Sequence, residues 1–84
     1  MDGYYFTFQS MTQAQMAAAV LQRHGFSASL TRAPKTISVS GCGYAVKASL
    51  TDVYGATALL RNTGVFPVKI FQTFRNGEVQ EVFL

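Results

Sequence analysis

The feature that most constrains the fold is an alternation of strand-like and helix-like segments along 84 residues. Residues 4–8 are aromatic and β-favouring, which predicts a first strand. Residues 11–24 carry alanine and leucine at helical spacing, which predicts a helix. Ser10 and Gln13 have the spacing of a capping box at its start, and Gly25 is a natural left-handed cap at its end.

The middle of the chain has further strand-like segments and a second helix-like segment. Pro34 interrupts the β-favouring stretch, and Gly41-Cys42-Gly43 interrupts it again. A second helix is predicted at 52–63, with Thr51 as its cap and Asp52 in its first turn. Strands are predicted on both sides of these breaks, at residues 28–32, 36–40 and 44–48.

The last third predicts a strand at 65–74 followed by a hairpin. Pro67 near the start of that strand indicates an edge position. Asn76-Gly77 is a strong signal for a two-residue turn. Such a turn pairs Arg75 with Glu78 and Phe71 with Val82.

The order of these elements predicts an α+β fold in which two helices cover one face of an antiparallel sheet. It matches the ferredoxin-like split βαβ (β-α-β-β-α-β) arrangement with an added C-terminal β-hairpin. The length predicts a single domain spanning residues 1–84. A content of 49% hydrophobic and 13% aromatic residues argues against disorder.

The lengths of the apolar runs and the number of cysteines indicate the cellular compartment and the kinds of site that such a protein can have. No run approaches the ~18 residues of a membrane span, and no signal peptide is visible, so a cytoplasmic protein without membrane contact is expected. One cysteine allows no internal disulfide. A lone Cys42 and a lone His24 cannot build a zinc cage, so neither a metal nor a cofactor is expected.

Charge is unevenly distributed along the sequence. The formal net charge is +3, yet no carboxylate occurs between residues 3 and 51. That stretch carries four cations, and the remainder of the chain sums to −1. The half that contains Cys42 therefore favours an anion, whether a thiolate, a phosphate or an acidic partner.

Cys42 is the first candidate for chemistry. A thiol reacts as its thiolate, and nearby cations lower its pKa below the free value of about 8.5. Arg32, Lys35 and Lys47 are close in sequence, on strands expected to be adjacent. The small neighbours Gly41 and Gly43 suggest a bulge or tight bend that presents Cys42 to a reagent or partner. The alternative is a buried cysteine that acts as a small hydrophobe.

Residues 33–45 resemble the signature of a family of small bacterial domains described as selenium/sulfur carrier-like, long labelled a domain of unknown function. The pattern is a proline and a basic residue, then Ile-Ser, then Cys-Gly-x-Ala. The opening Tyr-Tyr-Phe-Thr-Phe-Gln-Ser and the following Ala/Leu helix also fit, so the resemblance covers nearly the whole chain. This chain has Lys35 where the family often has arginine, which keeps the charge but loses the bidentate fork. The matching residues are Pro34, Lys35, Ile37, Ser38, Cys42, Gly43 and Ala45.

The resemblance implies a carrier and not an enzyme that turns over a small substrate. Cys42 would be loaded with sulfur or selenium by a donor enzyme, as a persulfide or perselenide, and would pass that atom to an acceptor protein. No second cysteine can resolve the adduct, so release requires a partner's thiol or a reductant. Residues near the thiol are expected to support the anion: Arg32, Lys35, Ser38, Ser40, Gly41 and Gly43.

A nucleic-acid module is the main alternative. The element order is that of an RNA-recognition domain, and residues 40–46 overlap its RNP1 motif. However, Cys42 replaces a stacking aromatic and Ser40 replaces a basic residue, so nucleic acid is the less favoured partner. Tyr4, Tyr5 or Phe6 could supply a stacking ring.

Two further hypotheses concern other residues. His24 could act as a base for Cys42, although a structural role at a helix C-terminus is favoured. The third alternative is a domain that only binds other proteins and in which Cys42 has a structural role. The apolar end of residues 82–84 and the aromatic sheet suggest self-association, and a homodimer is compatible with either of the other two functions.

Overall fold

The computed structural model of the chain describes residues 2–34, 37 and 43–83. Within these ranges the chain is α+β, as predicted, with two helices and one five-stranded antiparallel sheet. The strands lie side by side in the order β2-β3-β1-β4-β5. In chain order the elements are β1 (Asp2–Phe8), α1 (Met11–Arg23), β2 (Ser27–Arg32), β3 (Tyr44–Leu50), α2 (Val53–Asn62), β4 (Lys69–Thr73) and β5 (Val79–Val82).

Helix α1 begins and ends where the sequence predicts. The Ser10 hydroxyl accepts a hydrogen bond from the Gln13 backbone N–H at 3.2 Å, which satisfies one of the free donors of the first turn. Gly25 follows the helix with a φ of 84°, in the left-handed region that glycine tolerates best. Both ends of α1 are therefore determined by local sequence.

Helix α2 begins differently from the prediction. Asp52, and not Thr51, is the N-cap, because its carboxylate accepts the Gly55 backbone N–H at 2.9 Å. The prediction of Thr51 as the cap is wrong by one residue. Asp52 still stabilises the helix N-terminus, by a direct hydrogen bond to its first turn.

The core lies between the two helices and one face of the sheet, which we call the inner face. Even-numbered strand residues point to it, because strand side chains alternate and the pairing places Phe6 opposite both Val46 and Ile70. These residues are buried in one cluster with the inner sides of α1 and α2. The helix members of that cluster are Ala14, Ala17, Ala18, Leu21, Val53, Ala56 and Leu60.

Odd-numbered strand residues lie on the opposite, outer face. Its middle row runs across all five strands and places Tyr5 between Lys47 of β3 and Phe71 of β4, with Ser29 beyond Lys47. On β5, this row ends with Glu81, which is paired with Phe71. The outer face therefore carries two neighbouring aromatic rings that are not part of the main core cluster of the described residues.

Strand β4 is an interior strand. It lies between β1 and β5, so the edge position inferred from Pro67 is wrong. Pro67 precedes the strand, which starts at Lys69, and its missing N–H removes no bond from the β4 ladder. Val68 instead donates its N–H to the Thr7 carbonyl at 2.8 Å.

The connection between β4 and β5 also differs from the one predicted from the sequence. The strands pair Thr73 with Val79, which is one residue out of the predicted register. A two-residue type I′ turn needs positive φ at both central residues, whereas of Asn76 and Gly77 only Gly77 has it, at 86°. The loop therefore has three residues, and Phe74 bonds across it to the Glu78 carbonyl at 2.9 Å. This shift places Val82 opposite Ile70 instead of Phe71.

Candidate functional site

The segment that contains Cys42 connects β2 to β3. The last bond between these strands runs from the Ala33 N–H to the Gly43 carbonyl at 3.2 Å, one step beyond the pair of Arg32 and Tyr44. Cys42 is the residue before Gly43. Five of the predicted site residues lie outside the described residues: Lys35, Ser38, Ser40, Gly41 and Cys42.

Ile37 is the part of this connection that the structure describes between residues 34 and 43. Its N–H donates to the Pro34 carbonyl at 3.0 Å in a 3₁₀ turn, so the strand predicted at 36–40 is wrong at this residue. The side chain is only 2% exposed. Ala45, on the outer face, is also fully buried, and the main core cluster of the described residues contains neither of them. Their burial therefore arises from packing outside the helix-facing core.

The backbone conformation at position 43 does not require a glycine. Gly43 is not among the glycines with positive φ, and a Cβ built on it would meet no other part of the described chain within 4 Å. The structure therefore gives no backbone reason for glycine at this position.

We call the end of the sheet that carries Phe8, Arg32 and Tyr44 the loop end. Helix α1 begins there, since Ser10 follows β1 directly. Its N-terminus carries a partial positive charge that favours anions nearby. Helix α2 ends there, with Arg61 in its last turn.

Cations gather at the loop end, and most carboxylates lie elsewhere. Arg61 and Lys69 line one cavity of about 170 Å³ there, together with Glu81, whose carboxylate lies 3.5 Å from the Lys69 ammonium. The other three carboxylates of the sequence are at the opposite end: Asp2 begins β1 opposite Leu50, Asp52 follows β3, and Glu78 precedes β5. This separation makes the loop end the electropositive end of the molecule.

The structure does not bring all the predicted cations together. Arg32 pairs with Tyr44 and is on the inner-face side, whereas Lys47 is on the outer face, three residues further along β3. At about 3.3 Å per residue, Lys47 is roughly 10 Å from the start of that strand. Arg32 and Lys47 therefore lie on opposite faces of the sheet, although the strands that carry them are adjacent, as expected. Arg61 also lies at the loop end, but its cavity is lined by β4 and β5, on the other side of the sheet from the β2–β3 connection.

His24 and Asp52 both cap helices: Asp52 caps the start of α2, and His24 the end of α1. His24 caps the C-terminus of α1, and its Nδ1 lies 3.0 Å from the Val20 carbonyl oxygen. Thirteen helical residues, or about 20 Å, separate this position from the start of α1 at the loop end. A role for His24 as the base of Cys42 does not fit this separation.

The RNP1 comparison also fails on geometry. Tyr44, its expected aromatic, packs against the main core, as do the buried Tyr4 and Phe6. Of the rings proposed for stacking, Tyr5 alone lies on the outer face.

The described part of the chain offers no group of three or more metal-ligating side chains. Neither of its helices combines the length and apolar character that a membrane crossing requires.

One comparison with known proteins identifies a family. A family model with the description "Putative Se/S carrier protein-like" matches residues 3–72, a span that includes Cys42. No curated protein and no solved structure matches the chain.

Proposed function

Because the chain belongs to the Se/S carrier protein-like family, we propose that Cys42 carries a sulfur or selenium atom between two partner proteins. The observation that carries the proposal is the family match, which spans the whole β2–β3 connection and its cysteine.

The proposed loading step is a transfer of sulfane sulfur. The Cys42 thiolate attacks the outer sulfur of a persulfide on a donor enzyme. The donor's S–S bond breaks as a new S–S bond forms on Cys42, and the donor leaves as its own thiolate. A thiolate of the acceptor protein then attacks the outer sulfur and regenerates the Cys42 thiolate. No net oxidant is consumed, and selenium follows the same sequence as a perselenide.

The surroundings of the connection support this chemistry. A thiolate and a persulfide are both anions, and an electropositive end of the molecule stabilises them. Arg32 is exposed at the last position of β2, adjacent to the Ala33–Gly43 bond. We assign it, with Lys35, Ser38, Ser40 and the N–H groups of Gly41 and Gly43, to support of the anion. Ile37 contributes by fixing the connection through its buried side chain.

The proposal includes the partners and the setting. The protein acts as a stoichiometric carrier and not as an enzyme, so it needs a donor enzyme and an acceptor protein. Phe83 is 83% exposed beside the cation-rich loop end, where such proteins, or a second copy of the chain, would find apolar surface. A reducing cytoplasm would keep the single thiol available. We also propose the ferredoxin-like split βαβ fold with a C-terminal hairpin, which the order β2-β3-β1-β4-β5 supports.

Intact-mass measurement tests the function directly. The wild-type protein and Cys42→Ser are incubated with a cysteine desulfurase and cysteine. We expect the wild type alone to gain the mass of one sulfur atom, and reductant to remove it. Alkylation of the native protein serves as the control for thiol access. A thiol that alkylates only after unfolding, with no sulfur adduct, would show that Cys42 is a buried packing residue.

A further inference from the structure

The outer face of the sheet presents an aromatic and cationic surface that sulfur transfer does not use. At its centre are Tyr5 and Phe71, which occupy directly paired positions on β1 and β4. Directly paired side chains have their Cβ atoms about 4.5–5.5 Å apart, so the two rings are neighbours. Both rings are partly exposed.

A cation adjoins the rings on one side. Lys47 is paired with Tyr5 across β3 and is exposed, with the exposed Ser29 beyond it on β2. On the other side, Glu81 follows Phe71 in the same row, but its charge is opposed by Lys69 at 3.5 Å. The net charge beside the rings is therefore positive.

Several other side chains of the outer face carry hydroxyl groups, and Val79 of β5 is an apolar one, paired with Thr73. Ser49 and Thr73 occupy the row next to the rings, on either side of Gly3. The Thr73 hydroxyl occupies the space that a side chain at Gly3 would need, and it donates to the Gly3 carbonyl at 3.2 Å. At the loop end, by contrast, Thr7 and Ala45 are fully buried, so the accessible surface is the middle and the far end of the sheet.

We propose that this surface, formed by Tyr5, Phe71, Lys47 and their serine and threonine neighbours, binds single-stranded RNA. Proteins bind single strands by stacking bases on aromatic rings and holding the backbone with cations. Hydroxyl side chains beside the rings can pair with the ribose 2′-OH, which is the group that distinguishes RNA from DNA. A protein partner fits less well, because this face has two rings among small polar residues and lacks a continuous apolar patch.

The binding platform differs from the one that the RNP1 comparison predicted. Its rings come from β1 and β4, and the sequence segment that resembled RNP1 contributes only Lys47 and Ser49 from its continuation along β3. The inference is independent of the proposed carrier function, since Cys42 takes no part in it.

Fluorescence anisotropy with a labelled oligouridylate of about 12 nucleotides tests the proposal. Tyr5→Leu and Phe71→Leu each remove one stacking ring, and we expect each to weaken binding by roughly 5- to 140-fold. Lys47→Gln should weaken binding and reduce the salt slope by about 0.7, the value for one phosphate contact on a single strand. Glu81→Gln should strengthen binding, because it removes a carboxylate and releases Lys69.

Matched controls are available on the helices. Tyr54→Leu removes a ring that is 69% exposed on α2, and Arg23→Gln removes one charge at the end of α1. Both should leave the dissociation constant unchanged. Cys42→Ser should also bind RNA normally, and Tyr5→Leu should still accept sulfur, so the two functions fail separately.

Several results would overturn the inference. Wild-type protein that does not bind the oligomer at about 50 mM salt would refute it, and so would controls that weaken binding as much as the platform variants. Equal affinity for the deoxy oligomer would overturn the assignment to RNA. If Tyr5→Leu or Phe71→Leu loses its circular dichroism spectrum, an NMR titration of the wild type replaces it. RNA must then shift the amides of Tyr5, Lys47 and Phe71 and not those of α2.

Discussion

Two buried threonines have opposite hydrogen-bonding situations, which gives a matched test of the structure. Thr7 is 0% exposed, and its hydroxyl donates to the Lys69 carbonyl at 3.2 Å and accepts the Lys69 N–H at 3.0 Å. Thr57 on α2 is 2% exposed, and its hydroxyl has no hydrogen-bond partner within the described part of the chain. The same substitution should therefore have opposite effects at the two sites.

Replacement of threonine by valine exchanges the hydroxyl for a methyl group of similar size. An unpaired buried hydroxyl costs about 1–3 kcal/mol, so Thr57→Val should raise the free energy of unfolding by about 1 kcal/mol or more. Valine and threonine have similar helix propensities, which leaves the hydroxyl as the main difference. Thr7→Val should lower the free energy of unfolding by about 1–3 kcal/mol, because it leaves the Lys69 N–H without its acceptor.

Urea and thermal denaturation of the three proteins measure these differences. For a chain of this size, 1 kcal/mol shifts the melting temperature by about 4–8 °C. Thr57→Val should melt above the wild type and Thr7→Val below it, with the same urea m-value in all three. If both variants lose stability equally, then the Thr57 hydroxyl has a partner in the folded protein and the reasoning is refuted.

Three further predictions concern the two loops and the loop end. Gly77→Ala should lower the free energy of unfolding by about 1–2 kcal/mol, because alanine at a φ of 86° is strained, and an unchanged urea midpoint would contradict the three-residue loop. Gly43→Ala should change stability by less than about 0.5 kcal/mol, since its Cβ meets none of the described residues within 4 Å, and slower sulfur loading by this folded variant would show that partners need the space. Arg32→Gln should raise the pH midpoint of Cys42 alkylation relative to Arg23→Gln, because it removes a cation beside the β2–β3 connection, and equal midpoints would remove Arg32 from the site.

The helices and the fold class could be predicted because their signals are local. Ser10 and Gly25 mark the two ends of α1 through contacts within a few residues, and the four buried positions of α1 follow from helical spacing. The capping of α2 was missed by one residue, since Thr51 and Asp52 are both good caps and only the backbone course into the helix selects between them.

The errors in the strands share another cause. A β-favouring composition at 36–40 does not reveal that the Ile37 N–H bonds to Pro34 instead of to a neighbouring strand. Similarly, Asn76-Gly77 predicts a tight turn, but the loop length decides the register, and one residue of slip changes every cross-strand pair.

The sequence predicts which residues are candidates for the site, but not how they are arranged on the sheet. The sequence indicates Cys42 and an excess of cations around it. Sequence proximity placed Lys47 with Arg32, whereas alternation along β3 puts them on opposite faces of the sheet. Arg61 reaches the loop end because α2 returns along the sheet, but it lines a cavity at β4 and β5 and not at the β2–β3 connection.

By itself, the sequence determined which segments form helices, which residue is the candidate for thiol chemistry, and to which family the chain is similar. These depend on residue types and on spacings of a few positions. The tertiary structure decided the order and register of the strands, the gathering of cations at the loop end, and the placement of Tyr5 beside Phe71 on the outer face. Those features depend on pairings between residues far apart in sequence, such as Thr7 with Lys69, which are 62 positions apart and which no local pattern specifies.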